Sequence, residues 1–218
     1  FGFVKGHASN GNDKDNTRAH IFTNSILDLS LNNYKSSMLK VNYQKVTNDN
    51  YLKIFNLESA IVPVNSNVLE SIIELNLEHE NYDLTTSFEM FETLKGSNSD
   101  RYQYVLPSYN FSKNFSFEGV RGSYNFNSYG NNTLRDTNIT TSKNFNDLKY
   151  LSINNLLDNG ITTNFEISLK NVNTTGKNDL EYKEKLHSKL MSAYTYNASL
   201  PMIKKTSSSF KTLEPKLS

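Results

Sequence analysis

The side chains able to do chemistry are spread thinly along this chain. Four histidines, His7, His20, His79 and His187, lie far apart, and no two share the short spacing that gives a metal two ligands from one element. Cysteine is absent, which excludes a disulfide framework and any thiolate metal site built from this chain. No phosphate-cradling glycine loop, nucleophile elbow or dinucleotide fingerprint occurs, so no catalytic residue and no cofactor is called for. What remains is a series of charged and amide side chains at alternate positions: Glu74, Asn76 and Glu78; Asp83 and Glu89; Arg121; Asn164, Glu166 and Lys170. Carboxylates such as Glu74 and Glu78 have the chemistry for proton transfer, but side chains so placed far more often line a hydrated face. The expectation is a protein that is not an enzyme.

Those residues alternate because the segments carrying them have period two. Ile73, Leu75 and Leu77 interleave with Glu74, Asn76 and Glu78, and Tyr82, Leu84, Phe88 and Met90 interleave with Asp83, Thr85, Ser87 and Glu89. Val120, Tyr124 and Phe126 oppose Arg121, Ser123, Asn125 and Asn127, and Phe165, Ile167 and Leu169 oppose Asn164, Glu166, Ser168 and Lys170. Leu27, Leu29 and Leu31, then Leu39, Val41 and Tyr43, repeat the pattern near the start. Successive strand side chains point to opposite faces, so each segment has one apolar and one wet face. Turn-forming stretches separate them at 10–16, 32–33, 95–100, 129–132, 157–160 and 174–179. About ten to twelve strands are predicted on this spacing. Pro107 and Pro201 mark bulges, strand starts or edges, because proline cannot donate to the ladder. Residues 180–194 have the propensity of a short helix.

Composition narrows the class. Apolar residues make up 36 % of the chain, below the roughly 45–50 % of ordinary globular domains, yet 13 Tyr and 13 Phe argue against disorder. A formal net charge of +1 gives no electrostatic case for nucleic acid or an anionic membrane surface. Asparagine is abundant, at 32 residues, and suits turns and hydrated surfaces. No apolar run is long enough for a transmembrane helix. A start at Phe1 and a strand opening near the end predict an internal portion of a longer chain.

Two all-β architectures give every strand one apolar and one charged face. One is a soluble β-sandwich with the apolar face inside. The other is an antiparallel transmembrane β-barrel with that face in lipid and the wet face in the lumen. Strands of about ten residues match a tilted membrane crossing, and Tyr82, Tyr102, Tyr104, Tyr129 and Tyr150 fall near segment ends, where an interfacial aromatic girdle would sit. On the barrel reading the nine residues named above are lumen-facing.

Three stretches, KVTNDNYLKIF (45–55), SDRYQYVLPSYNFS (99–112) and SSFKTLEPKLS (208–218), resemble in order and spacing the barrel domain of the lipopolysaccharide-assembly outer-membrane protein family, LptD. Lys216 stands where that family usually has arginine. The resemblance implies that residues 1–218 are a middle part of a larger barrel, with both barrel ends and an N-terminal periplasmic domain outside it. It implies an outer-membrane location in a Gram-negative envelope and a role in inserting lipopolysaccharide into the outer leaflet. The implied partners are lipopolysaccharide, an LptE-like plug lipoprotein and, through the periplasmic domain, the transport bridge. Within VTNDNYLK, Asn48, Asp49 and Asn50 would turn the chain out of a strand, and Tyr51 and Leu52 would fold back onto barrel or plug.

Overall fold

The computed structural model describes residues 2–6, 16–57, 59–94, 100–205 and 209–217. The segment 10–15, most of 95–100 and His7 lie outside the described residues. The chain is all-β and antiparallel. Its strands are β1 (Gly2–Gly6), β2 (Asn16–Asp28), β3 (Ser36–Val46), β4 (Val68–Glu78), β5 (Tyr82–Thr93), β6 (Tyr102–Phe115), β7 (Gly122–Arg135), β8 (Thr140–Ser152), β9 (Asn155–Leu156), β10 (Thr162–Lys177), β11 (His187–Ser199), β12 (Met202–Lys205), β13 (Phe210–Leu213) and β14 (Lys216–Leu217). One four-residue helix, α1 (Tyr51–Ile54), interrupts them.

Twelve strands form one sheet in the order β1-β2-β3-β4-β5-β6-β7-β8-β10-β11-β14, with β9 pairing on β10. β12 and β13 form a separate hairpin. Each long strand pairs with its neighbours in sequence, so the sheet is a meander. It is open, with β1 at one margin and β11 with the short β14 at the other. The turns at 29–35, 79–81, 116–121 and 153–161 lie at one end, here the near end. The connections 47–67, 94–101, 136–139 and 178–186 lie at the far end.

Three sequence-based boundaries move. Residues 129–132 lie inside β7, because Gly130 lets the Tyr109 ring and the β8 backbone approach: a Cβ there would stand 2.3 Å from the Lys143 carbonyl oxygen. β10 continues through Thr174–Lys177, and the turn begins at Asn178 in the left-handed region (φ 57°). β2 ends at Asp28, so Leu29 and Leu31 sit in the turn around Ser30 (φ 49°). The segment 180–194 is loop and then β11, its Leu190 and Tyr194 paired opposite Asn171 and Ile167. Tyr129, expected near a strand end, is mid-strand. Asn56 and Asn138 also take positive φ, at 44° and 62°, so part of the asparagine excess serves turns.

Pro107 shifts the pairing in the middle of β6. Val105 opposes Thr133 and Ser108 opposes Asn131, so two residues, Leu106 and Pro107, face one on β7. The extra residue is a bulge that inverts the alternation: Tyr104 and Leu106 share a face with Tyr109 and Phe111.

The apolar residues form a diagonal band. One cross-strand row runs Leu77–Leu84–Phe111–Ser128–Asn146–Asn171 through β4, β5, β6, β7, β8 and β10. Residues opposed in antiparallel pairs share a face. In β4 the triplet Leu77, Leu75, Ile73 begins on this row and continues toward the far end. In β10 the triplet Leu169, Ile167, Phe165 begins one row closer to the near end and continues toward that end. The displacement is three rows, or six residues. At about 3.3 Å per residue and about 4.8 Å per strand spacing, the band crosses the hydrogen-bonded rows at roughly 40°.

This band is largely uncovered. Ile73 and Phe88 are 52 % and 50 % exposed, and Leu27, Leu106, Ile167, Leu169 and Tyr194 are exposed too. The buried core is instead small and local, at the far end of β3 and β4. Val46, Tyr51, Leu52, Val62, Leu69 and Leu94 pack together, with Phe22, Phe55, Leu57 and Ile61 around them. The Asn48 side chain accepts from the Asn50 backbone N–H at 3.0 Å, turning the chain into α1. Tyr51 and Leu52 are then driven inward by burial, and Asn56 ends the turn.

Candidate functional surface

The sequence-derived polar residues fall on one face, opposite the apolar band. Glu74 opposes Ser87, Asn76 opposes Thr85, and Glu78 opposes Asp83. Glu89 opposes Val105, one row beyond the pair Ser87 and Ser108. Asn164 opposes Asn197 on β11, while Glu166 and Lys170 oppose Leu151 and Asp147 on β8. Arg121 is the exception: it lies in the turn before β7, exposed, with its carbonyl oxygen accepting from the Tyr150 hydroxyl at 2.9 Å. The alternation that seemed to include it starts only at Gly122.

This face is knitted by cross-strand polar contacts. Lys149 pairs with Glu166 at 2.9 Å and Lys170 with Asp147 at 3.7 Å. Asn76 donates to Glu74 at 2.8 Å and accepts from the Thr85 hydroxyl at 2.7 Å. The Asn197 side chain donates to Asn164, which donates to Asn154. Acids and bases are interspersed on β8 and β10, whereas β4 and β5 carry Glu74, Glu78, Asp83 and Glu89, with Lys40 of β3 opposite Glu74. On β7, β8 and β10 an apolar row, Tyr129–Phe145–Val172, interrupts the charged zone, its two rings stacked at 4.9 Å, and Lys143 lies one row beyond it.

Two clusters on the band's own face were not anticipated. The first is ionic. Glu92, 1 % exposed, accepts from Lys45 Nζ at 2.7 Å, the Tyr102 hydroxyl at 2.9 Å, and Arg101 Nη2 and Nε at 2.8 and 3.1 Å. Arg101 also grips both Asp49 carboxylate oxygens, at 2.6 and 3.2 Å. The Asp49 carboxylate, then Glu92, raises the Arg101 pKa further, so the guanidinium stays charged. The cluster fastens the VTNDNYLK segment to the connection before β6. Removing one partner from such a group strands the others' charge. It had a sequence signal: Lys45 and Glu92 continue the apolar registers Leu39–Val41–Tyr43 and Phe88–Met90, where a charge needs a partner.

The second cluster is a ring of amides. Asn146 Nδ2 donates to Asn144 Oδ1 at 2.6 Å and Asn171 Oδ1 at 3.2 Å. Asn173 Nδ2 donates to the same two oxygens, at 3.1 Å to Asn144. Ser128 donates to Asn146 at 2.8 Å, Asn144 donates to the Tyr109 hydroxyl, and Asn171 donates to Ser188 at 3.1 Å. The spacing N-x-N in both strands was the sequence signal.

The three described histidines stay apart. His20 stacks on Phe22 and reaches the Tyr51 hydroxyl at 3.2 Å, His79 stacks on Tyr82 at 4.6 Å, and His187 opens β11. Among the described residues no group of three or more metal-ligating side chains gathers, and no helix is long and apolar enough to cross a membrane.

Fold and surface together define an all-β antiparallel meander with an uncovered apolar band on one face and a row of charged and amide side chains on the other. No protein-family model and no curated protein matches the chain.

Proposed function

We propose that this chain is a portion of an outer-membrane β-barrel that conducts lipopolysaccharide to the outer leaflet. The observation that carries the barrel is the diagonal band. Strands of transmembrane barrels tilt by about 35–45°, so a lipid-facing belt must step along successive strands, as this one does at roughly 40°. The uncovered apolar side chains then meet lipid, and the Glu166–Lys149 and Asp147–Lys170 pairs face a hydrated lumen. Further strands beyond the two sheet margins would close the barrel.

The lipid cargo is proposed on the resemblance of the three stretches to the lipopolysaccharide-assembly family. The structure's particulars are compatible with that likeness. The first stretch is the strand exit pinned by Arg101, the second carries the Pro107 bulge, and the third holds the β13–β14 turn. An amphipathic lipid with phosphates suits a wall where Lys40, Lys149 and Lys170 alternate with acids. An LptE-like plug would occupy part of the lumen.

Adjacent positions on β10 test the reading. A photo-crosslinking residue at Ser168 points to the charged face and one at Leu169 to the band. In the intact protein in a Gram-negative envelope, adducts at Ser168 to lipopolysaccharide or the plug are expected, and the lipid adduct should vanish when periplasmic supply is depleted. Adducts at Leu169 should be to resident membrane lipid and persist. Recovery of the protein in the soluble fraction, with no adduct at either position, would sink the reading.

A further inference from the structure

β11 ends at the near end, where Ser199 lies opposite Thr162. The chain then leaves the sheet and returns at β14, whose Lys216 and Leu217 pair with Ser199 and Ala198. Between the two lies the β12–β13 hairpin. Among the described residues its strands pair only with each other. A lone two-stranded hairpin is marginal in water, so this one calls for cover. Its apolar side chains say the same: Met202, Ile203, Phe210 and Leu213 are 41, 60, 61 and 63 % exposed. Met202 opposes Leu213, and Ile203 shares the other face with Phe210. Both faces of the hairpin are therefore apolar.

We infer that this hairpin is an interfacial foot, immersed in the headgroup layer of an anionic phospholipid bilayer beside the near rim of the sheet. The inference rests on the membrane reading above. Charge sets the class of occupant. Residues 201–213 include Lys204, Lys205 and Lys211 and no carboxylate, so the formal net charge of +1 for the whole chain hides a local excess. Glu214, next in sequence, is paired with Lys216 at 3.4 Å. Lysines beside a bilayer are drawn to its anionic headgroups. A free phosphate would satisfy the lysines but not the four apolar side chains. The two apolar faces favour lipid over an acidic protein. A protein wall would cover one face and leave the other in water, whereas a fluid headgroup layer surrounds both. Continuity with the band sets the place. Tyr194 and Tyr196 of β11, opposite Ile167 and Phe165, are exposed on the band, and only Asn197–Ser199 follow before the strand ends. The liquid that meets the band at β11 has its surface where the hairpin begins.

The test uses the intact protein reconstituted into vesicles of phosphatidylcholine, alone or mixed with phosphatidylglycerol. A nitroxide is attached at Phe210→Cys and, in separate samples, at Leu169→Cys on the band and Lys183→Cys at the far end. Accessibility to oxygen reports immersion in lipid, and accessibility to a water-soluble nickel chelate reports water. The 169 label should be immersed in both kinds of vesicle and the 183 label in water in both. For the 210 label the ratio of immersed to water-exposed populations should be at least about tenfold higher in the mixed vesicles. Lys211→Glu should lower that ratio about fivefold or more with the 169 label unchanged, and inorganic phosphate should not alter it. A 210 label in water in both compositions, with the 169 label immersed, overturns the inference alone. So does equal immersion in both, a ratio indifferent to Lys211→Glu, or release by inorganic phosphate. Shielding of the 210 label from both reagents marks a protein cover and overturns it too. A 169 label in water overturns the membrane reading and this inference together.

Discussion

Asp179 shows how much of the far end depends on single carboxylates. Its Oδ1 accepts from the backbone N–H groups of Glu181 and Tyr182 at 2.7 and 2.9 Å, closing the turn after β10. Those bonds, with Tyr182 the larger contributor, hold its pKa below the usual carboxylate value. A depressed folded pKa stabilises the turn above the unfolded value of about 3.9, and that stabilisation is lost as pH falls through the lower folded value. Protection of the Tyr182 amide from exchange, taken relative to the intrinsic rate at each pH, should therefore be present at neutral pH and fall away below about pH 4. Asp179→Asn, which keeps an acceptor but cannot titrate, should remove the acid dependence; an unchanged pH profile would refute the assignment. Single residues were also where the sequence was hardest to read. Glu92 and Lys45 were visible as charges out of register, but Arg101, the second cation on Glu92, lies outside any strand and only the fold brings it in.

At the level of strands, alternation was enough to place β3, β4, β5, β7 and β10, because one face of each is apolar and the other polar or charged; β8 gave no such signal. It failed where glycine is read as a turn. Gly130 and Gly176 stand inside strands because side chains lie over them, Tyr109 over the first and Tyr182 over the second, and no local signal tells a close approach from a turn. It also missed α1, whose four residues are too few for a helical period. The glycine argument is testable. Gly130→Val forces a Cβ into the Lys143 carbonyl and should cost about 2 kcal/mol or more in denaturant unfolding from micelles. The adjacent Asn131→Val should cost nothing or stabilise, because it removes a buried Oδ1 that has no hydrogen-bond partner. Equal effects of the two would show that the approach of β6 and β8 does not depend on the glycine.

For the whole molecule, the informative quantity is the slant of the apolar band, and no strand contains it. It follows from register, which is set by turn lengths and by the Pro107 bulge, so the sequence shows the triplets Ile73–Leu75–Leu77 and Phe165–Ile167–Leu169 but not their offset. If the band lies in lipid, Ile73→Lys should lower stability by about 2–4 kcal/mol in a bilayer, whereas Asn76→Lys, on the other face, should change it little. Comparable penalties at both positions, measured by unfolding from vesicles, would show that the two faces do not meet different solvents. The meander has a further consequence, for how such a wall can change over generations. Each long strand is bonded to its neighbours in sequence. A duplication or loss of one complete hairpin therefore rejoins the same kinds of edge without rethreading the chain, while a single-strand change would reverse the polarity of everything after it. Variation in girth should arrive two strands at a time, and the slant of the belt, carried by each hairpin's own register, would be inherited with it.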